Sequence, residues 1–117
     1  MSERVCFQLQ VRPERISDYI ERHRSVPQDV LDAIAEAGRR NYSIFLRDDG
    51  LLIGYYETDD DTESARRLVA DPRTFQWEAE SASFFDHLSG DRADQGAPTL
   101  REVFNLNSQL GVQGLER

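Results

Sequence analysis

The strongest constraint on the fold of this chain is a hairpin signal near its middle. The pair Asp49-Gly50 stands between two apolar runs, NYSIFL at 41–46 and LLIGYYE at 51–57. An Asp-Gly pair in this setting is typical of a tight turn between antiparallel strands. Gly54, inside the second run, indicates either a bulge or the close approach of another group. The middle of the chain is therefore predicted to form two paired strands.

The segment before the hairpin predicts one strand and then helix. VCFQLQV at 5–11 has apolar residues at the odd positions and a cysteine, Gln8 and Gln10 at the even ones. This period of two predicts a strand with one face on a core. The opposite face is polar but uncharged, so we expect it to line something other than open water. Apolar residues at helical spacing fill 16–38, and Pro27 is expected to divide them into two helices.

The segment after the hairpin predicts two more helices and a final strand. TDDDTESARRLVAD at 58–71 predicts a capped helix with carboxylates in its first turn, where the helix dipole favours them. This acidic run lacks the spacing of a calcium loop, so no metal site is expected there. A loop at 89–98 and a closing strand TLREVFNL at 99–106 are expected at the end. The second helix is expected after Pro72, with its larger apolar residues at Phe75, Trp77, Phe84, Phe85 and Leu88.

The resulting order, β-α-β-β-α-β, predicts a ferredoxin-like α+β fold, an antiparallel sheet with helices on one face. We expect one domain over residues 1–106, followed by a polar C-terminal tail at 107–117. Helices on one side leave the other face of the sheet uncovered. Two copies can cover each other by pairing their sheets, so we expect a homodimer of the dimeric α+β barrel type that encloses a pocket.

Composition narrows the kind of ligand. The formal net charge of −8 argues against nucleic acid and anionic membrane surfaces, which both need clustered basic residues. The N-terminus lacks the build of a secretory signal, so a cytoplasmic protein is expected. A single cysteine and the absence of HExxH, CxxC and GxSxG patterns predict no metal catalysis and no serine nucleophile elbow. A neutral small molecule or a protein partner fits this composition better.

The spacing between one tyrosine and one histidine suggests an acid–base site. Tyr19 and His23 lie four residues apart, on one helix face, where both side chains can touch one ligand. Histidine suits acid–base work near neutrality, and a phenol beside it can donate a hydrogen bond or relay a proton. The structural alternative is an amphipathic helix whose tyrosine and histidine are half buried at the edge of the sheet. His87, near a predicted helix end, is expected to be structural.

Two other residues, Asn41 and Trp77, carry similar alternatives. Asn41 suits a sugar hydroxyl, because its amide both donates and accepts, yet asparagine is also common at turns. Tyr42 follows it at the start of the strand. Trp77 is the only tryptophan, and its indole could stack on a sugar ring or anchor a helix to the core.

Taken together, these pieces resemble the L-rhamnose mutarotase family. The matching segments are VCFQLQVRPE, YIERH, NYSIFL, LLIGYYE, the region of Trp77 and LREVFNL, in the same order over most of the chain up to about residue 106. The resemblance implies a dimer of ferredoxin-like subunits that interconverts the α and β anomers of a free sugar without cofactor or metal. It places His23 at the acid–base histidine, Tyr19 and Tyr42 at family tyrosines, and Trp77 at the first of two aromatic residues that contact the sugar.

Two positions depart from the family pattern. Pro27 stands where the family commonly has a tryptophan, and Glu78 replaces the second of the two aromatic residues. Both changes bear on how the sugar fits. Glu78 and Asn41 are candidates for hydrogen bonds to the substrate.

The sequence thus predicts a mutarotase acting on L-rhamnose or a related free sugar, with His23 and Tyr19 as its catalytic residues. Two other functions stay open at this point. One is a non-catalytic dimer that binds a sugar or metabolite on the same scaffold. The other is an oxidative enzyme, cofactor-free or haem-using, with His23 as base or axial ligand; only the fold supports it, and a fold does not fix a function.

Overall fold

The sheet of the protein is built around the predicted hairpin. A computed structural model describes residues 2–86, 92 and 97–111. The strands are β1 Glu3–Val11, β2 Arg40–Leu46, β3 Leu51–Thr58, β4 Phe85–Asp86 and β5 Thr99–Leu100. The helices are α1 Ile16–Arg22, α2 Gln28–Glu36, α3 Asp61–Ala70, α4 Phe75–Ala82 and α5 Leu106–Leu110. His87, Leu88 and most of the expected loop at 89–98 lie outside the described residues.

The strands pair in the order β2-β3-β1-β4, with β5 also paired to β1, and every pair is antiparallel. Along β3 the buried residues alternate with half-buried ones, since Leu52, Tyr56 and Thr58 face the helices. The ferredoxin-like α+β fold is confirmed. We call the other side the outer face; by strand register it carries Cys6, Gln8, Gln10, Phe45, Leu51, Ile53 and Tyr55.

Both helical connections are divided at prolines, as predicted. Val26 is extended ahead of Pro27, because a residue that precedes a proline disfavours the helical conformation. α2 begins directly after the proline, at Gln28. The acidic run forms the start of α3, where the Asp60 side chain caps the helix by accepting a hydrogen bond from the backbone N–H of Glu63 at 3.1 Å. The capped helix is therefore confirmed.

The predicted closing strand is wrong over most of its length. Only Thr99 and Leu100 pair with β1, and residues 101–105 form no strand. β4 pairs with the same edge of β1 at Gln10 and Val11, so β4 and β5 share that edge. Beyond β5, contact with β1 continues through side chains, in an ion pair between Arg4 and Glu102 at 2.7 Å.

The helix after Pro72 is shorter than predicted. It ends at Ala82, where the Ser83 hydroxyl donates to the carbonyl of Glu80 at 2.7 Å. Phe84 lies in the following turn, and Phe85 belongs to β4 rather than to the helix. Both rings enter the core cluster between sheet and helices, together with Leu9, Val11, Tyr19 and Leu52.

The structure shows why a glycine occupies position 54 inside β3. A Cβ on Gly54 would lie 2.1 Å from Cζ of Phe7, so the glycine is required by close approach rather than by a bulge. The ring of Phe7 lies over the bare backbone of β3. No helix in the described part of the chain combines the length and apolar character needed to cross a bilayer.

Candidate active site

A cavity of about 420 Å³ lies between the helix-facing side of the sheet and the helices. This size is near the lower end of the range for small-molecule sites. Phe7 and Leu9 of β1 form part of its wall. All the side chains singled out from the sequence line this one cavity: Tyr19, His23, Asn41, Tyr42, Trp77 and Glu78.

The cavity lies on the apolar side of the sheet, within a single chain, and not on the polar face of β1. That polar face was expected to line something other than open water. In this single chain Gln8 is exposed on the outer face, and Gln10 donates to the carbonyl of Asp49 at 2.9 Å, which ties down the hairpin turn. Aromatic rings from both layers line the cavity, including those of Phe7, Tyr19 and Trp77.

The pairing of Tyr19 and His23 is close. α1 ends at Arg22 and His23 begins a turn of 3-10 helix, with the two rings 4.2 Å apart between centroids and inclined by 33°. Nδ1 of His23 lies 2.9 Å from the carbonyl oxygen of Tyr19. A carbonyl can only accept, so Nδ1 carries the hydrogen and a neutral ring has its lone pair on Nε2. Among the described residues, no hydrogen bond engages Nε2.

Burial sets the protonation of both groups. It lowers the pKa of His23, the positive charge of Arg22 lowers it further, and the hydrogen bond to the Tyr19 carbonyl opposes both. Burial also raises the pKa of the Tyr19 phenol, with smaller contributions from Tyr42 and Glu78. At neutral pH the site therefore holds a neutral imidazole that can accept a proton, beside a neutral phenol that can donate a hydrogen bond.

A bulge in β2 directs Tyr42 into the cavity. Asn41 has a φ of +51°, and two residues, Asn41 and Tyr42, oppose the single residue Tyr56. Asparagine adopts this left-handed conformation more readily than most residues. The Tyr42 ring packs 5.2 Å from that of Tyr56, while the amide nitrogen of Asn41 donates to Glu57 at 3.1 Å.

α4 supplies the opposite wall through Trp77 and Glu78. The indole of Trp77 meets the ring of His23 nearly edge-on, at 5.5 Å and 73°. The Glu78 carboxylate is close enough to Tyr19 to raise the pKa of its phenol. An aromatic surface and a hydrogen-bond acceptor therefore lie next to the tyrosine–histidine pair.

Sequence patterns did not single out two arginines that the structure places on aromatic rings: Arg39, which lines the cavity, and Arg22, which contacts the cavity wall through Trp77. The guanidinium carbon of Arg22 lies over the Trp77 indole, 3.7 Å from the ring centroid. Arg39 is 7% exposed and stacks on Tyr56 at 4.1 Å. Arginine is common on exposed helix faces and at helix ends, so neither position carries a signal of its own in the sequence.

Comparison with known proteins decides the family. The family model described as L-rhamnose mutarotase matches residues 4–106. The chain belongs to the L-rhamnose mutarotase family. It is 29% identical over 105 residues to a curated L-rhamnose mutarotase of Sinorhizobium medicae (strain WSM419), a match that covers 89% of this chain and 98% of that protein.

Solved structures agree on the fold of this L-rhamnose mutarotase family member. A crystal structure of L-rhamnose mutarotase from Formosa agariphila matches with a TM-score of 0.70 and 20% identity, covering 89% of this chain and 98% of that one. A protein from Mycobacterium tuberculosis matches with a TM-score of 0.58 and 14% identity, covering 91% and 99%. At these identities the structures establish the fold alone.

Family membership confirms the predicted class of activity. The protein is an isomerase of the sugar mutarotase type, and the binding-only alternative is not favoured. The match also spans every side chain that the sequence placed in the site, from Tyr19 to Glu78.

Proposed function

We propose that the cavity interconverts the anomers of L-rhamnose or a closely related free sugar, with His23 and Tyr19 as the catalytic residues. Trp77 stacks on the apolar face of the sugar ring, and Tyr42 positions hydroxyl groups. Asn41 and Glu78 bind hydroxyls at the rim. The observation that carries this proposal is the Nδ1 hydrogen bond of His23, which leaves Nε2 as the open nitrogen of a half-buried, neutral ring.

The reaction moves one proton from the anomeric hydroxyl to the ring oxygen. Nε2 of His23 accepts the proton of the anomeric hydroxyl, the C1–O5 bond breaks, and the aldehyde forms. The ring oxygen takes up a proton as it leaves. Both oxygens are bonded to the same carbon, so a single imidazole nitrogen can remove the proton from one and deliver it to the other. Rotation about the C1–C2 bond and closure by the reverse steps give the other anomer, with no net change in protons.

Tyr19 acts in this scheme by hydrogen bonding. Its raised pKa keeps the phenol protonated through neutral pH, so it donates to a sugar oxygen and does not compete with His23 as a base. General acid–base catalysis by one well-placed group contributes about 10²–10⁴ in rate. A phenol that stabilises the charge developing on oxygen adds to this contribution.

The test is two-dimensional exchange NMR between the anomers of L-rhamnose, with L-fucose and D-glucose as comparison sugars. We expect the wild-type protein to accelerate exchange of L-rhamnose, and His23→Ala to lower the rate by about 10²–10⁴. Tyr19→Phe keeps the ring that packs on Phe84 and Phe85, and is expected to lower the rate less. Circular dichroism checks that each variant is folded.

The outcomes separate substrate from mechanism. Acceleration with L-fucose alone would keep the role of His23 and change the sugar. Undiminished exchange in folded His23→Ala would remove His23 from the mechanism. No acceleration with any of the three sugars by the folded wild-type protein would overturn the proposed function.

We also propose that the protein is a cytoplasmic homodimer whose subunits pair through the outer face of their sheets. The support is the exposure of apolar side chains on and beside that face: Phe45 is 65% exposed and Leu100 44%. Residues 1–106 form the domain in this proposal, and 107–117 form a tail that begins within α5. Large exposed apolar patches in small proteins commonly mark interfaces.

A further inference from the structure

We propose that Arg22 is a positioning residue that fixes the Trp77 indole and His23 in their working arrangement. This inference rests on the proposed function, because it assigns Arg22 a role in the same cavity. It concerns how the site is held together and not which sugar enters it.

Within the described part of the chain, the side-chain hydrogen bonds of Arg22 all reach across to α4, and its guanidinium carbon also lies 5.7 Å from the centroid of the Phe84 ring. One terminal nitrogen donates to the carbonyl oxygen of Trp77 at 2.7 Å and to the hydroxyl of Ser81 at 2.9 Å, and the other donates to Glu80 at 3.0 Å. The guanidinium plane at the same time lies over the indole, 3.7 Å from its centroid. Arginine can hold all of these contacts because its planar fork both stacks and donates in several directions.

The burial of Arg22 indicates that stacking sets the orientation of the guanidinium. Its side chain is 16% exposed, and its Nε is buried with no hydrogen-bond partner in the described part of the chain. A buried donor without an acceptor is unfavourable. An arginine that served only to join two helices would gain by turning this N–H toward an acceptor or toward water.

Two consequences follow for the site. The guanidinium covers one face of the indole, so a sugar ring stacks on the opposite face. Arg22 is also the residue directly before His23, and the same side chain therefore fixes Trp77 while its charge lies close to the imidazole. That charge favours the neutral ring that can accept a proton.

Two substitutions separate the stacking from the charge. Arg22→Lys keeps the charge and loses the planar stack, while Arg22→Met loses both and keeps most of the length. We expect both variants to raise KM for anomer exchange about tenfold, the order expected for losing a partly buried cation–π contact. We expect Arg22→Met alone to move the acidic limb of the kcat profile to higher pH, and Arg22→Lys to keep it in place.

Fluorescence supplies a readout that does not depend on turnover. Trp77 is the only tryptophan in the sequence, so the emission of the protein reports on this indole. In both variants we expect shifted emission and faster quenching by iodide, because the covered face becomes accessible. The matched control is Arg66→Met, an exposed arginine of α3 that pairs with Glu63 and lies away from the cavity; it should change neither KM nor quenching.

The outcomes are distinct. Wild-type KM and wild-type quenching in folded Arg22→Lys and Arg22→Met would overturn the proposal. A rise in KM without any change in the acidic limb of Arg22→Met would overturn the electrostatic part and keep the stacking part. If Arg22→Met does not fold by circular dichroism, the lysine variant decides the stacking part through KM and quenching. If the wild-type protein exchanges none of the sugars, the proposed function fails, while iodide quenching still tests whether Arg22 holds Trp77.

Discussion

At the scale of single residues, the hydrogen bond between His23 Nδ1 and the carbonyl of Tyr19 determines what the histidine can do. The bond spans one helical turn, so the same backbone that places the phenol also selects the tautomer. A histidine held in this way offers one nitrogen to the cavity and one to the helix. The spacing of four residues brings the two rings together and, through this bond, sets the protonation of one of them.

The lowered pKa of His23 predicts the pH dependence of catalysis. The reaction needs the neutral imidazole, so the enzyme-dependent exchange rate should be constant near pH 7 and fall as the ring is protonated. Burial and Arg22 place that transition below the ordinary value of about 6.5. The measurement is exchange NMR from pH 5 to 8, with the rate of the sugar without enzyme subtracted at each pH.

His23→Ala is the control for this profile. Removing the imidazole should abolish the acidic limb together with most of the rate. A transition above the ordinary histidine value in the wild-type protein would contradict the burial argument. Survival of the same limb in His23→Ala would assign it to another group.

What the sequence revealed at this scale was spacing. Helical geometry places residues i and i+4 on one face whatever the surroundings, so the contact between Tyr19 and His23 could be predicted. The contact between Arg22 and Trp77 joins two helices far apart in the chain and depends on how both pack on the sheet. The bulge at Asn41 could not be predicted for the same reason, because it is defined by the pairing of β2 with β3.

At the scale of elements, the pairing of Phe7 in β1 with Gly54 in β3 predicts a link between strand packing and substrate binding. In Gly54→Ala the new Cβ would clash with the Phe7 ring, 2.1 Å away, and the ring would have to move into the cavity. Such overpacking typically destabilises a protein by about 1–3 kcal/mol. We expect a lower free energy of unfolding in urea and a higher KM in anomer exchange.

A second substitution tests whether this clash is the cause. Phe7→Leu shortens the side chain that the new methyl group meets, so Gly54→Ala combined with Phe7→Leu should recover part of the lost stability relative to the sum of the single changes. Additive losses would show that the two positions do not interact. An unchanged free energy of unfolding in Gly54→Ala would show that the Phe7 ring can move aside without any loss of stability.

The elements themselves were predictable where a local rule fixes them. Pro27 and Pro72 stop helices for steric reasons that need no tertiary contact, and Asp49-Gly50 closes a turn within a few residues. The closing strand was not predictable in the same way. Its residues have a strand pattern, yet only Thr99 and Leu100 pair with β1, opposite Phe7 and Cys6. How far such pairing extends depends on where the chain runs after Leu100, which is a tertiary property that the pattern does not contain.

At the scale of the whole molecule, the cavity and the proposed dimer interface lie on opposite sides of one sheet. The sequence predicted an uncovered sheet face, and it predicted a pocket enclosed by two subunits. The first follows from having helices on one side only. The second stays a prediction. The cavity that the structure shows lies between the sheet and the helices of one chain, with Phe7, Tyr42 and Trp77 among its lining residues.

This arrangement predicts that assembly can be disrupted without removing the site. Phe45 is 65% exposed on the outer face and pairs across the strands with Ile53, so Phe45→Glu would place a charge in the proposed interface. We expect the wild-type protein to sediment as a dimer and Phe45→Glu to sediment as a monomer. Val69→Glu is the control, since Val69 is exposed on α3, away from that face, and the dimer should persist.

The catalytic outcome of Phe45→Glu then tells whether one chain is sufficient. The residues described around the cavity come from a single subunit, so a folded monomer should retain its exchange rate within a few-fold. A folded monomer that has lost activity would mean that the second subunit completes the site, and the polar tail would be the first segment to delete. A wild-type protein that sediments as a monomer would leave the outer face without a partner, although the cavity and its chemistry require none.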